Sequence, residues 1–223
     1  MRIALYWAPE HSTPLGRVAA DWLKQGECPV NGVPNKEVRR LLSAPKHYGF
    51  HATLKPPFQL RAGCVLEEVE QELALFVAEE QNKPFLLPGL EVAQIGSFFC
   101  LRPIADSGVL NDFSAATVKR FDHFRKPAGE DEIARRRAAG LTARQDQLLL
   151  KWGYPYVFDE FRFHLTLTGS VQDSNHFQPL KQELVTRFAP ALHIPCSFDS
   201  LSMFIQHGSQ PFSEYRRWSL GKM

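Results

Sequence analysis

The stretch HYGFHATLKPPF, residues 47–58, is answered later in the chain by FRFHLTLTG, residues 161–169. Each contains Phe-His-x-Thr-Leu, and His164 follows His51 by 113 residues. Both stretches alternate strictly. Phe50, Ala52 and Leu54 fall on one side of the first, with His51, Thr53 and Lys55 on the other. Phe163, Leu165 and Leu167 oppose His164, Thr166 and Thr168 in the second. Alternation with period two makes a half-buried strand with one polar face. Composition predicts only about 0.002 further F-H-x-T-L matches in such a chain, so the repetition is not chance. The same order of elements follows each motif: strand, helix, strand, strand. The pair predicts an α+β, bilobal duplicated fold. Each lobe has an antiparallel sheet and flanking helices, and a pseudo-two-fold axis sets the lobes across a central cleft. The whole chain, 1–223, is expected to be one bilobal domain, with lobe 1 over about 1–105 and lobe 2 over about 106–223, the latter including a helical insert at about 109–152.

Working outward, Arg2 to Trp7 reads as a first strand. Leu15, Val18, Ala19, Trp22 and Leu23 repeat at helical spacing across Leu15 to Lys24. Gln25 to Asn35 reads as loop, and Lys36 to Leu42 as a short helix stopped before Pro45. The first motif strand is expected over Gly49 to Lys55, ended by Pro56-Pro57. A helix carries Leu66, Val69, Leu73, Phe76 and Val77 on one face. Strands follow near Phe85 to Val92 and Ser97 to Arg102. Val109 to Phe124 and Leu141 to Trp152 are amphipathic helices. Glu130 to Ala139, with its run Arg135-Arg136-Arg137, reads first as a solvated helix surface, with a phosphate-binding role as the alternative. The second motif strand spans Phe161 to Thr168. A helix with Leu180, Leu184, Val185 and Phe188 follows, and strands near Phe198 to Ile205 and Tyr215 to Leu220 close the chain.

Composition narrows the function classes. Lys plus Arg number 26 against 24 Asp plus Glu, a net charge of +2, which is too small for a polyanion binder working by bulk electrostatics. At 44% apolar and 22% charged residues the chain is not disordered. No apolar run approaches the ~20 residues of a membrane span, so no membrane partner is expected. The opening stretch is too short for a secretory signal. Cys28, Cys64, Cys100 and Cys196 lie far apart without a CxxC pair, which argues against a zinc site or disulfide framework. A cytoplasmic chain with reduced thiols is expected, with no metal and no cofactor; no oligomeric state is assigned.

His-x-Thr/Ser alone is a weak pattern. His11-Ser-Thr13 and His207-Gly-Ser209 also match it, but the first precedes a helix and reads as an N-cap, and the second sits in a turn. His51 and His164 differ in lying on alternating strands beside a Thr on the same face. Phosphodiester cleavage needs a base for the attacking oxygen, an acid for the leaving oxygen, and donors for the other phosphate oxygens. Imidazole serves as base or acid near neutral pH, and a Thr two residues on points the same way with a hydroxyl to donate. Two copies supply all four groups.

The duplicated strands resemble the 2H phosphoesterase superfamily, which includes 2′-5′ RNA ligase-like proteins and cyclic phosphodiesterases. HYGFHATLKPPF, FRFHLTLTG and the opening RIALYWAP resemble a bacterial branch associated with phosphonate-utilisation operons. The resemblance implies His51, Thr53, His164 and Thr166 as the catalytic groups. It also implies a metal-independent hydrolase, a phosphoric diester hydrolase of the cyclic phosphodiesterase type, acting on a small cyclic phosphate or phosphodiester. A ribose-derived cyclic phosphate from phosphonate breakdown is the implied substrate. From the residues themselves, Lys55 extends the polar face and Thr168 occupies the matching place in the second repeat. Tyr6 and Tyr48 are candidates to stack on or bond a ligand, with core packing as the alternative, and Arg162 and Arg102 are candidates for the substrate site, with a surface salt bridge as the alternative. Two competing readings are RNA end processing (2′,3′-cyclic phosphate hydrolysis or 2′-5′ ligation), against which the near-neutral charge weighs, and a non-catalytic module binding nucleotides or phosphorylated ligands.

Overall fold

The computed structural model describes residues 1–24, 29–105 and 107–221. Cys28 and the start of the expected Gln25–Asn35 loop lie outside them. In chain order the elements are β1 (Arg2–Trp7), α1 (Pro14–Lys24), α2 (Asn35–Tyr48), β2 (Ala52–Phe58), α3 (Leu66–Ala78), β3 (Phe85–Leu87), β4 (Leu90–Ile95), β5 (Phe98–Pro103), α4 (Gly108–Phe121), α5 (Glu130–Arg137), α6 (Ala143–Trp152), β6 (Leu165–Thr166), α7 (Phe177–Phe188), β7 (Cys196–Phe198), β8 (Ser200–Gln206) and β9 (Ser213–Ser219). The fold is α+β. Seven strands form one antiparallel sheet in the order β4-β5-β6-β2-β1-β8-β9, and β3 pairs with β7 in a small second sheet.

The two motif strands, β2 and β6, lie side by side in the middle of the sheet. The hairpin β4-β5, which follows the first motif in sequence, pairs with the strand of the second. The hairpin β8-β9, which follows the second motif, lies beyond β1 on the side of the first. The division at 105/106 therefore describes the repeat along the chain, and each half of the sheet draws on both repeats.

Alternation on β1 sorts the two faces. Ile3, Leu5 and Trp7 join the main core, with Leu54, Leu165 and Leu167 and with residues of α1, α2, α3, α4 and α7 such as Trp22, Leu41, Leu73, Phe121 and Leu184. Ala4 and Tyr6 face the other way, in a small cluster with Phe204 and Phe212. The indole of Trp22 donates to the Leu167 carbonyl at 2.8 Å, tying α1 to the second motif. Thr13 caps α1 by accepting from Gly16 N at 3.0 Å, as the His11-Ser-Thr13 reading expects.

Four expectations about the elements are corrected. The second motif strand, expected over Phe161 to Thr168, is a strand only at Leu165–Thr166. The helix before the first motif does not stop before Pro45 but runs through it to Tyr48. Proline offers no N–H to the carbonyl four residues back; here that carbonyl, of Leu41, accepts instead from Gly169 N at 2.6 Å, just after the second motif. The expected strand Phe85–Val92 is two strands, broken at Pro88-Gly89, where Gly89 has φ +118 and a Cβ would meet the His193 backbone at 3.0 Å. Pro56 and Pro57 do not end the first motif strand, which continues to Phe58 with two shifts of register against β1.

That irregularity relocates Lys55. Thr53 pairs with Tyr6, whereas Lys55 pairs with Leu5, so one extra residue of β2 is accommodated between them. Directly opposed residues share a face, and a bulge exchanges the faces beyond it. Thr53 accompanies Tyr6, and Lys55 accompanies Leu5 into the core. Lys55 is 1% exposed, and its ammonium donates to Asp122 at 3.1 Å and to the Val118 carbonyl at 3.3 Å. Thr168 is corrected in the same way. Leu167 N and Thr168 N both donate to the Phe99 carbonyl, at 2.9 and 3.2 Å, which is a bulge. The buried Thr168 hydroxyl accepts from Phe99 N at 3.0 Å. The third polar position of both repeats is thus turned inward.

Burial pulls the Lys55 ammonium down to about 8, against the pull of Asp122. The unfolded chain then binds more protons than the folded one between about pH 8 and 10.5, so this group's contribution to stability rises with pH across that window. Lys55→Met keeps the stem, and Asp122 keeps Arg125 at 2.8 Å. Urea denaturation should place it within about 1 kcal/mol of the wild type at pH 7. The wild type should gain on it between pH 8 and 10.5; a flat difference across that range would refute the buried charge.

Candidate active site

The joint between the motif strands places the histidines. β2 and β6 meet through one ladder pair, Ala52 with Leu165. These are repeat-equivalent positions, each following its His. An antiparallel ladder has a local two-fold axis between opposed residues, and here that axis passes between the equivalents. Continuing the register sets His51 opposite Thr166 and Thr53 opposite His164. Ala52 and Leu165 are fully buried on the core side, so all four polar residues are on the cleft side.

The two imidazoles are oriented alike. His51 Nδ1 lies 2.9 Å from the Gly49 carbonyl, and His164 Nδ1 lies 2.7 Å from the Arg162 carbonyl, again repeat-equivalent positions. A carbonyl only accepts, so each Nδ1 carries the proton and each neutral ring turns an unprotonated Nε2 away from the backbone. His51 Nε2 lies 3.2 Å from Thr53 Oγ1. Gly49 takes φ +75, a conformation open to glycine, and a Cβ there would meet Phe204 at 3.3 Å. Tyr6 stacks on His51 with centroids 3.6 Å apart and planes at 16°.

Burial pulls the His51 imidazole down to about 4, opposed by the Gly49 carbonyl and aided by the charge His164 would carry. Burial also lowers His164, opposed by the Arg162 carbonyl. Burial raises the phenols of Tyr6 and Tyr154, which stay protonated as donors.

Tyr6, Tyr48, His51, Thr53, His164 and Thr166 line a cavity of about 550 Å³. Thr53, Pro56, Tyr154 and His164 also border a second cavity of about 580 Å³, which holds Arg162, Phe98, Tyr156 and Phe161. The cleft therefore has two compartments that share Thr53, Pro56, Tyr154 and His164. Tyr6 and Tyr48 line the first compartment and Arg162 the second. Lys55 and Thr168 line neither, for the reason given above. Arg102 takes its salt-bridge alternative and not the substrate-site one: it lines neither compartment, and its Nε donates to Glu91 at 2.8 Å across the β4-β5 hairpin.

Arg2 and Tyr154 are absent from the sequence reading, and Arg135 and Arg136 enter it only through the phosphate-binding alternative; all four line the first compartment. Arg2 shares the strand parity of Tyr6, a signal open to the method that found the motifs. Arg135 and Arg136 belong to the run read as solvated surface, and the fold brings that helix over the cleft. Arg135 and Arg137 are exposed, as a solvated surface requires, and Arg137 pairs with Asp146 at 2.6 Å.

A family model described as "Protein of unknown function (DUF1045)" matches residues 53–213. The chain belongs to that family. The match holds Thr53, His164 and Thr166 and begins two residues after His51. Two curated relatives are named ribose 1,5-bisphosphate phosphokinase PhnN. One, from Janthinobacterium sp. (strain Marseille), is 32% identical over 97% of this chain and 50% of its own length. The other, from Laribacter hongkongensis (strain HLHK9), is 28% identical over 92% and 48%. The chain spans about half the length of the curated relatives it matches. Among solved structures, E. coli LigT complexed with 3′-AMP is 14% identical, covering 99% of this chain and 98% of its own, with a TM-score of 0.46. TT0787 of Thermus thermophilus is 14% identical over 99% and 98%, with a TM-score of 0.47.

In this DUF1045 chain the depressed His51 makes stability depend on pH. Unfolded, the ring titrates near 6.5; folded, at about 4. The unfolded state binds more protons between these values, so the contribution is whole above about pH 6.5 and falls as the pH drops toward 4. The ceiling is about 3 kcal/mol, and the partly open ring edge keeps the effect below it. Denaturation from pH 7.5 to 4.5 should show this loss, and His51→Gln should flatten the profile; equal slopes would remove the buried neutral imidazole.

Proposed function

We propose that the chain is a metal-independent phosphoesterase that hydrolyses a small cyclic phosphate or phosphodiester by two-histidine acid–base catalysis, as in the 2H phosphoesterases. The observation that carries this is the Ala52–Leu165 pairing of repeat-equivalent residues, which sets two His-x-Thr faces symmetrically in one cleft. Binding alone calls for donors; two histidines offering bare Nε2 atoms beside two hydroxyls suit proton transfer at both ends of a phosphorus-centred displacement.

His51 is the base, because its lower proton affinity leaves it neutral first. Its Nε2 takes a proton from water as the water oxygen bonds to phosphorus. The phosphorus–oxygen ester bond on the far side breaks, and the leaving oxygen takes the proton of a protonated His164 Nε2. Thr53 and Thr166 hydroxyls donate to the remaining phosphate oxygens. Burial alone would leave both rings neutral at pH 7. A bound phosphate anion raises imidazole proton affinity and so loads the acid.

The names of the curated relatives point to ribose phosphates, and a ribose-derived cyclic phosphate formed in phosphonate metabolism is the preferred substrate. The chain contains no G-x-x-x-x-G-K-[ST] phosphate loop, so phosphokinase chemistry is not proposed for it. Phe98, with its ring 5.7 Å from His164, lies with Tyr156 and Phe161 in the second compartment. Aromatic faces there favour a nucleoside 2′,3′-cyclic phosphate, or an RNA end carrying one, as the second reading.

The test is a panel of ribose cyclic phosphates, nucleoside 2′,3′-cyclic phosphates and a short cyclic-phosphate-ended RNA, assayed with EDTA present. His51→Ala and His164→Ala should each lose several orders of magnitude in kcat/KM, and the double variant little more, because the two act as one unit. Thr53→Val and Thr166→Val should each lose about 2–4 kcal/mol of transition-state stabilisation. The kcat/KM profile should be a bell lying on the acid side, rising as His51 loses its proton above about pH 4 and falling as His164 loses its own below 6.5. Near-normal turnover by either alanine variant, or activity abolished by EDTA and restored by zinc, would overturn the mechanism.

A further inference from the structure

The first compartment is more positive than a paired-histidine mechanism requires. Arg2, Arg135 and Arg136 line it, and no Asp or Glu among the described residues lines it with them. In a chain of net charge +2 this is a local concentration of charge.

The three guanidiniums differ in how they are held. Arg2 Nε donates to Gln206 Oε1 at 2.6 Å, and its guanidinium lies 5.4 Å from the Phe212 ring. Arg136 Nη2 donates to Glu132 at 2.8 Å and lies 5.2 Å from the Tyr154 ring, itself part of the cleft wall. Both are fixed in place. Arg135, the preceding residue on α5, is exposed and makes no hydrogen bond or ion pair with any described residue. Basic residues in a last helical turn also complement the helix dipole, which accounts for their place in sequence but not for two of them lining a cavity free of carboxylates.

One phosphoryl group between the histidines is already served by two imidazoles and two hydroxyls. A guanidinium matches phosphate with two parallel N–H donors. A cavity of about 550 Å³ has room for a sugar beyond the reacting phosphorus. The geometry points to a doubly anionic substrate: a sugar-sized molecule whose scissile phosphate lies between His51 and His164 while a second, terminal phosphate monoester is held by Arg135, with Arg136 and Arg2 behind it. This rests on the phosphoesterase reading above and names its substrate class. The second compartment does not fit the role, because Glu160 lines it beside Arg162.

The test separates the two readings by measuring binding and turnover independently. Calorimetric titration of the full chain with inorganic phosphate, ribose 5-phosphate and ribose 1,5-bisphosphate should give a bisphosphate Kd at least about tenfold below that of ribose 5-phosphate. The gap should narrow as salt rises. Arg135→Ala, at an exposed position, should close most of it while leaving the affinity for inorganic phosphate within about twofold, and Arg135→Lys should restore part. Arg136→Gln serves as a second probe of the same compartment. His51→Gln should keep the gap and lose turnover. If the wild type shows no gap, or binds neither sugar phosphate, or if neither arginine variant changes the gap, the second anion site is refuted whatever the histidine variants do. If the gap is present and histidine variants retain turnover, the catalytic reading fails and the anion site stands.

Discussion

Everything at the cleft depends on one ladder contact, Ala52 against Leu165. It is where the two halves of the seven-stranded sheet meet. Because the paired residues are equivalent in the repeat, the contact sets the symmetry of the site. A slip of one residue would turn one motif's His and Thr into the core and leave the other alone at the surface. The register is held from outside the strands. Trp22 bonds the Leu167 carbonyl, the Leu41 carbonyl freed by Pro45 takes Gly169 N, and Phe99 binds both N–H groups of the bulge after Thr166. Proline within α2 thus serves the second motif, more than a hundred residues away.

Symmetry in backbone has not given symmetry in environment. Both rings donate Nδ1–H to the carbonyl two residues earlier, yet Tyr6 covers His51 face to face while Phe98 stands 5.7 Å from His164 at a tilt of 47°. The more enclosed ring is the one pulled to about 4. Two imidazoles at repeat-equivalent positions are separated in proton affinity by what packs on them, a separation the proposed acid–base pair would use.

The motifs, the α+β class and most elements were legible because they rest on local periodicity. The alternation of Phe50 to Leu54 and Phe163 to Leu167 survives intact. Legibility ends where a strand departs from strict alternation: counting by twos puts Lys55 and Thr168 beside the histidines, and a bulge in each strand reverses them. Bulges depend on partner strands, so nothing local announces them. The helix through Pro45 was misread for a related reason, since the carbonyl that rescues it belongs to a tertiary contact. For Arg102 the sequence leaves site and salt bridge open, because the partner that decides it, Glu91, comes from a neighbouring strand.

The charged run of the insert shows the same limit from the side of function. Arg135, Arg136 and Arg137 are consecutive, and sequence alone weighs them as one block, a solvated patch first and a phosphate contact second. A helix turns about a hundred degrees per residue, so three neighbours cannot share a fate once one side of the helix meets the protein. Arg137 reaches α6 at Asp146, Arg136 is held between Glu132 and Tyr154, and Arg135 is left at the cleft without a partner among the described residues. A net charge of +2 argues against binding a long polyanion, because that needs charge spread over a surface. It does not argue against gathering a few cations where acids are absent. The same near-neutral chain is thereby suited to a small anion held at fixed points, which is what a cleft built on two short, symmetric strands has room to accept.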